Sequence, residues 1–264
     1  MSSAATPGEA ERSRPESERS GAVLLLRQLV KSRTQAGSTF QLTVPELQVY
    51  PGEFVAIIGE SGCGKSTLLD LLALISKPDS AASFQLTFSA GEAQDLAALW
   101  RYADETALAG IRRRWLGYVL QTGGLLPYLN VRDNLLLPRR INRMPPDHGR
   151  VLAMAQRMGV ADCMPRRPDS LSGGQRQRVA VLRALTHSPR LVLADEPTAA
   201  VDRQRAHLIV RDLRSLARDE GLSVIMVTHD LDLVGSVADS SYGFELTQVT
   251  EHRIHSCLYR EACR

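Results

Sequence analysis

The chain is poor in aromatic residues (5%) and in lysine: Lys31, Lys65 and Lys77 stand alone, so arginine carries nearly all the positive charge. Its formal net charge of +3 is too small to argue for nucleic acid, and none is expected as a partner. The cysteines, Cys63, Cys163, Cys257 and Cys263, are scattered without the pattern of a disulfide scaffold, which suits a reducing compartment. No apolar run approaches the ~20 residues that cross a bilayer; the longest candidate, LLDLLALI at 68–75, is far too short. Membrane contact is therefore expected only through a partner. Residues 1–20, rich in Ser, Glu, Arg and Pro, have no apolar centre, do not read as a signal peptide and are expected to be disordered.

What is present alternates. AVLLLRQLV reads as a buried strand, and in FQLTV the side chains of Phe40, Leu42 and Val44 share one face, as in a half-solvated antiparallel strand. EFVAIIGESGCGKSTLLDLLALI reads as strand, glycine loop and core helix. RRRWLGYVLQ is expected to be a short strand ending at Gln121, with Arg112–Arg114 on a solvated face, the alternative being contact with lipid head groups or a membrane partner. The stretch 122–170 is helical in texture: Val151, Leu152, Ala155 and Met158 fall on one face, and Gly159 caps it. QRQRVAVLRALTHS reads as a helix stopped by Pro189, RLVLADEP as a buried strand, 203–218 as a helix and SVIMVTHD as a second buried strand. SYGFELTQVTEHRIHS closes as a small hairpin, while 78–110 has too weak a periodicity to assign. Apolar strands alternating with helices indicate an α/β fold whose parallel sheet is covered on both faces.

The glycine loop GESGCGKST fits G-x-x-x-x-G-K-[ST] and lies between strand and helix, the context that motif requires. Gly59, Gly62 and Gly64 let successive N–H groups face an anion, with Glu60, Ser61 and Cys63 between them, and the helix N-terminus adds partial positive charge. Lys65 supplies a compact ammonium for the β/γ-phosphates, Ser66 a hydroxyl for Mg²⁺, and Thr67 completes the motif. Cys63 sits beside Lys65, whose charge favours a thiolate; the plainer reading is a small filler. LVLADEP delivers Asp195 and Glu196 to the carboxyl end of a buried strand. Asp195 is placed to hold Mg²⁺ through water, and Glu196 to orient or deprotonate the attacking water. His229, ending the second buried strand, is placed to contact the γ-phosphate, the alternative for a lone histidine being a structural role.

LSGGQ at 171–175 carries neither base nor nucleophile. Ser172 is a good helix N-cap, and Gly173 and Gly174 expose N–H groups at the start of the next helix. A second anion cradle, in a chain whose own phosphate already has one, implies two copies packed head to tail.

With these four motifs in this order, the sequence resembles the nucleotide-binding subunit of an ABC transporter, over about residues 22 to 250. The resemblance implies a P-loop NTPase with a RecA-like parallel-sheet core, an N-terminal antiparallel β-subdomain and an inserted helical subdomain at about 122–172, forming a single ATP-binding domain over 21–264. It implies that Gln121 links Mg²⁺ to the membrane partner, that Asp202 in TAAVD crosses to the other protomer, and that Ser172, Gly173, Gly174 and Gln175 act on the partner's ATP. The ligands are then ATP and Mg²⁺, the latter held by Ser66, Gln121 and Asp195. The partners are a second copy and an integral membrane permease, at the cytoplasmic face of the inner membrane. GGLLPYLNVRDNLLLP looks like the surface that receives the permease, although Leu135 suits a core as well.

Two departures stand out. The family places an adenine-stacking aromatic near residue 33, where this chain has Arg33; the guanidinium can stack instead, with Phe40 or Tyr50 as substitutes. The usual Gly or Ser before the small-residue step of the Asp202 loop is replaced by Ala199 and Ala200. The span before Gln121 also suggests an insertion around 90–110. YVLQTGGLLPYLNVRDNLLLP and the compact length look most like the lipoprotein-releasing and macrolide-export (LolD/MacB) branch. Its permeases act mechanically across the envelope, some of them in signalling upstream of type VI secretion. The alternatives are a soluble non-transport ABC ATPase and a slow regulatory ATP-binding module. His252, His255, Cys257 and Cys263 match no structural zinc spacing and read as a frayed tail rather than a metal site.

Overall fold

The computed structural model describes residues 21–89, 92–199 and 201–261; the tail expected to be disordered, Ala200 and Cys263 lie outside the described residues. The chain begins with a long hairpin, β1 (Leu24–Gln35) and β2 (Ser38–Val49), followed by β3 (Phe54–Ile58) and α1 (Lys65–Leu72). The stretch that sequence periodicity leaves unassigned holds β4 (Ser83–Ser89), β5 (Glu92–Asp95), α2 (Leu96–Arg101) and most of α3 (Glu105–Trp115). Then come β6 (Leu116–Val119), α4 (Val131–Ile141), α5 (His148–Arg157) and α6 (Gly173–Leu185). The chain continues through β7 (Leu191–Asp195), α7 (Arg203–Asp219), β8 (Ser223–Thr228), α8 (Leu231–Val234), β9 (Ser240–Thr250) and β10 (Arg253–Arg260).

These strands form one sheet in the order β5-β4-β1-β2-β10-β9-β3-β8-β7-β6. The segment β9-β3-β8-β7-β6 is parallel, and the β4-β1-β2 end is antiparallel. Alternate residues of the central strands feed two separate cores. Phe54, Ala56, Val192, Ala194, Val224 and Met226 face a cluster with α4 to α7. Val55, Ile57, Leu191, Leu193, Ile225 and Val227 face α1 and the β1–β2 hairpin. Burial on both faces explains why these strands read as unbroken apolar runs, each Val, Leu, Ile, Phe or Met side chain among them contributing roughly 1.5–3 kcal/mol of transfer free energy.

Several sequence expectations need correction. Arg112–Trp115 end helix α3 rather than open a strand, so β6 begins only at Leu116. Arg112 and Arg114 are not a solvated face: their guanidiniums donate to the carbonyls of Leu74 (2.6 Å) and His187 (3.1 Å). Leu152 is 43% exposed; the buried face of α5 is Val151, Met154 and Ala155, with Met158 buried at its end. Gly159 does cap that helix, with its N–H on the Gln156 carbonyl and that of Val160 on Ala155. The C-terminal segment is a hairpin but not a frayed tail, because β10 inserts between β9 and β2 in the middle of the sheet.

Candidate nucleotide site

Strands β6, β7, β8 and β3 are parallel neighbours, so their carboxyl ends lie along one edge of the sheet. From that edge come Gln121 after β6, Asp195 and Glu196 at β7, His229 after β8 and the glycine loop after β3. Open α/β sheets bind ligands there because the strand ends and helix N-termini converge. All of these line one cavity of about 1290 Å³, together with Glu60, Ser61, Gly62, Gly64, Lys65, Ser66 and Thr67.

The loop is shaped for an anion. Gly64 has φ 110°, and a Cβ added there would lie 3.0 Å from Phe40 Cζ, so only glycine fits. No side chain caps α1 and its first turn carries no acid, which leaves the N-terminal N–H groups open toward the cavity. Lys65, 8% exposed, folds into the loop and donates to the carbonyls of Gly59 (2.7 Å) and Glu60 (2.8 Å).

Glu196 is the meeting point of the site. Its carboxylate lies 3.8 Å from Lys65 Nζ, 3.3 Å from His229 Nδ1 and 3.5 Å from the Gln121 amide. Its backbone is left-handed, φ 41°, and its N–H donates to the Val227 carbonyl at 3.0 Å, so the strained turn is held by β8. Burial, then the neighbouring Glu196 charge, pushes the Asp195 carboxyl above its ordinary range. Two adjacent carboxylates sharing one nearby ammonium suit a divalent cation.

The remaining expected residues are placed differently. Gly59 and Cys63 do not line the cavity. The Cys63 thiol is 2% exposed, packs against Gly59 and is pushed up by burial, which outweighs the Lys65 charge; the filler reading holds and a favoured thiolate does not. Arg33 lines the cavity while its guanidinium donates to Asp70 at 2.7 Å. Phe40 also lines it; Tyr50 does not, and its hydroxyl donates to Gln48.

The LSGGQ residues lie away from this cavity. Ser172 and Gln175 form a reciprocal capping box on α6, with N···O distances of 3.3 and 3.0 Å. Gly174 faces Val201 and Arg205, and Asp202 caps α7 through the Arg205 N–H at 3.0 Å, so signature and Asp202 loop are neighbours. Leu135 is fully buried, as is Asn134, whose side chain bonds Leu126, Leu129 and Asn130 and organises the loop after Gln121. His255 bonds Thr43 at 2.8 Å, and among the described residues no group of three or more His, Cys, Asp or Glu side chains is placed to hold a metal, so the described C-terminal His and Cys residues form no such site. Sequence reasoning missed Glu251, His252 and Ile254, which line the cavity from the β9–β10 hairpin.

A glycine loop at a strand–helix junction, sharing a cavity with paired acids from the carboxyl end of another parallel strand, defines a P-loop nucleoside triphosphatase. A family model described as ABC transporter matches residues 42–199. The lipoprotein-releasing system ATP-binding protein LolD of Maricaulis maris is 36% identical over 204 residues, 76% of this chain and 85% of that protein. The macrolide export ATP-binding/permease protein MacB of Marinobacter nauticus is 38% identical over 200 residues, 73% of this chain but only 29% of that protein. A dimeric ATP-binding cassette, solved in a post-hydrolysis state with ADP and Pi, superposes with a TM-score of 0.72 at 28% identity, covering 91% of this chain and 99% of that one. The chain belongs to the ABC transporter family, in its LolD/MacB branch, and is an ATP-binding ATPase. No helix among the described residues is long and apolar enough to cross a membrane.

Proposed function

We propose that two copies of this chain close head to tail on two ATP molecules and drive a LolD/MacB-like permease from the cytoplasmic face of the inner membrane. The observation that carries this reading is the convergence of Lys65, His229 and Gln121 on Glu196, with LSGGQ outside the same cavity. Each site then has a phosphate cradle and a base of its own, and lacks a cover for the γ-phosphate, which Ser172, Gly173, Gly174 and Gln175 of the second copy supply. Asp202 crosses the interface beside them.

In this reading Lys65 leaves the Gly59 and Glu60 carbonyls for the β/γ-phosphates, a favourable exchange of neutral for charged acceptors. Glu196 takes a proton from the water that attacks the γ-phosphorus, the bond to the β-bridging oxygen breaks, and ADP and phosphate leave. His229 orients the γ-phosphate. Ser66, Asp195 and Gln121 would hold Mg²⁺, which when bound neutralises charge on the β- and γ-phosphates. Gln121 also reports the state of the site to the permease through the Asn134-organised loop. The permease sets the output: lipoprotein or other substrate export, or a mechanical signal across the membrane such as one feeding type VI secretion.

Glu196→Gln is expected to bind ATP, to lose at least about 100-fold in hydrolysis and to elute as a dimer with ATP and a monomer without it. Hydrolysis at the wild-type rate, or an elution volume indifferent to ATP, overturns the reading. Tagged protein extracted gently from membranes is expected to bring an integral membrane protein with it; soluble partners alone would contradict the permease assignment.

A further inference from the structure

The cavity extends well beyond the glycine loop. With the triphosphate at Gly62–Thr67, the base of a nucleotide must lie in the remainder of the cavity, whose lining includes Arg33, Gln35, Thr39, Phe40, Glu251 and His252. Three of these carry planar groups able to cover a base. Phe40 already packs over the backbone of Gly64, and the Arg33 guanidinium is engaged by Asp70 at 2.7 Å. The His252 imidazole is exposed, and no hydrogen bond or ion pair is made by its ring among the described residues.

The backbone beneath that ring is held firmly. The Thr39 N–H donates to the His252 carbonyl at 2.7 Å. Parallel pairing with β2 begins at the next residue, Arg253 opposite Thr39 and Ile254 opposite Phe40. The Arg253 guanidinium donates to Gln41 at 2.8 Å. An exposed ring on a pinned backbone loses little entropy when a partner covers it, and Gln35 and Glu251 line the same cavity, where they can make polar contacts.

We propose that the β9–β10 turn is the base-recognition element of the site, with the His252 imidazole stacking on the base of a purine nucleoside triphosphate. This rests on the phosphate-loop reading above. It moves the stacking group from the first hairpin of the chain to the last and leaves Arg33, held by Asp70, as a wall of the cavity.

The test compares Mg-ATP with tripolyphosphate, which has the phosphates and no base, by calorimetric titration of the full chain. His252→Ala is expected to weaken ATP roughly tenfold, the scale of one lost stacking contact, while tripolyphosphate binding stays unchanged. His252→Phe is expected to restore ATP. Unchanged ATP affinity in His252→Ala, equal weakening of both ligands, or no rescue by Phe overturns the proposal. Lys65→Ala separates the two levels: it is expected to lose both ligands, and retention of both overturns the phosphate-loop reading and this proposal with it.

Discussion

Arg183 donates to the carbonyl of Gly124 at 2.7 Å, and its second amino group to that of Gly123 at 3.3 Å. Arg183 sits on α6, the helix that starts at the Ser172 capping box, whereas Gly123 and Gly124 follow Gln121. The same helix face presents Gln177 and Ala180 to Gly123. Both glycines are left-handed, φ 76° and 59°, which turns the loop back onto the helix. The signature helix and the Gln121 loop are thus tied by charged hydrogen bonds from a mostly buried guanidinium.

Arg183→Met keeps the apolar stem and removes the donors. Steady-state phosphate release is expected to fall about tenfold in kcat, the rate equivalent of losing a charged hydrogen bond, with KM for ATP unchanged. Arg183→Lys, which still donates, is expected to recover part of the loss. A change in KM alone would mean that the tie serves nucleotide binding instead.

Ser172→Asp preserves the N-cap on α6, since a carboxylate accepts from the Gln175 N–H as the hydroxyl does. Stability by thermal melting is therefore expected to match the wild type. If this end of the helix covers a partner's γ-phosphate, the added negative charge abolishes ATP-driven dimerisation. A Ser172→Asp variant that dimerises normally on ATP would exclude the contact in trans.

His187 is buried beyond the end of α6, its Nε2 3.0 Å from the Leu116 carbonyl. Burial, then repulsion by Arg114, Arg150 and Arg139, lowers its pKa to about 4. Because the folded value lies below the unfolded one, its contribution to stability is complete above about pH 6.5 and is lost as pH falls toward 4. From these values the loss is about 2 kcal/mol by pH 5, or about 4–8 °C in Tm for a chain of this size. His187→Gln is expected to flatten the pH dependence of Tm by that amount between pH 7 and 5; equal slopes would show that His187 is not the group involved.

Cys63 lies in the phosphate loop yet faces inward. Iodoacetamide at pH 7.5 is expected to leave ATPase activity intact, and mass spectrometry to find Cys63 modified only after denaturation. Its rate should fall about tenfold or more below that of a free thiol. Rapid inactivation that ATP prevents would show an accessible thiolate.

GESGCGKST, LVLADEP, MVTHD and LSGGQ were legible because each is a local design, in which glycines, an N-cap or a strand end act on neighbours a few residues away. The central parallel sheet was legible for the same reason, as strands buried on both faces leave no polar alternation. Residues 78–110 were not: β4 and β5 are held by β1 and by the packing of α2 and α3, and no periodicity of their own announces them. Arg112 and Arg114 look solvated in sequence because charge patterning says nothing of the distant carbonyls they reach.

The sequence by itself thus determined the phosphate chemistry, since a loop that binds an anion is built from consecutive backbone N–H groups and needs no distant residue to take shape. Tertiary structure alone decided which side chains gather at Glu196 and what stands at the base end of the cavity. His252 reaches Thr39 only through the pairing of β10 with β2, strands at opposite ends of the chain. Such a contact depends on sheet register, a property of the whole fold that no short window of residues contains.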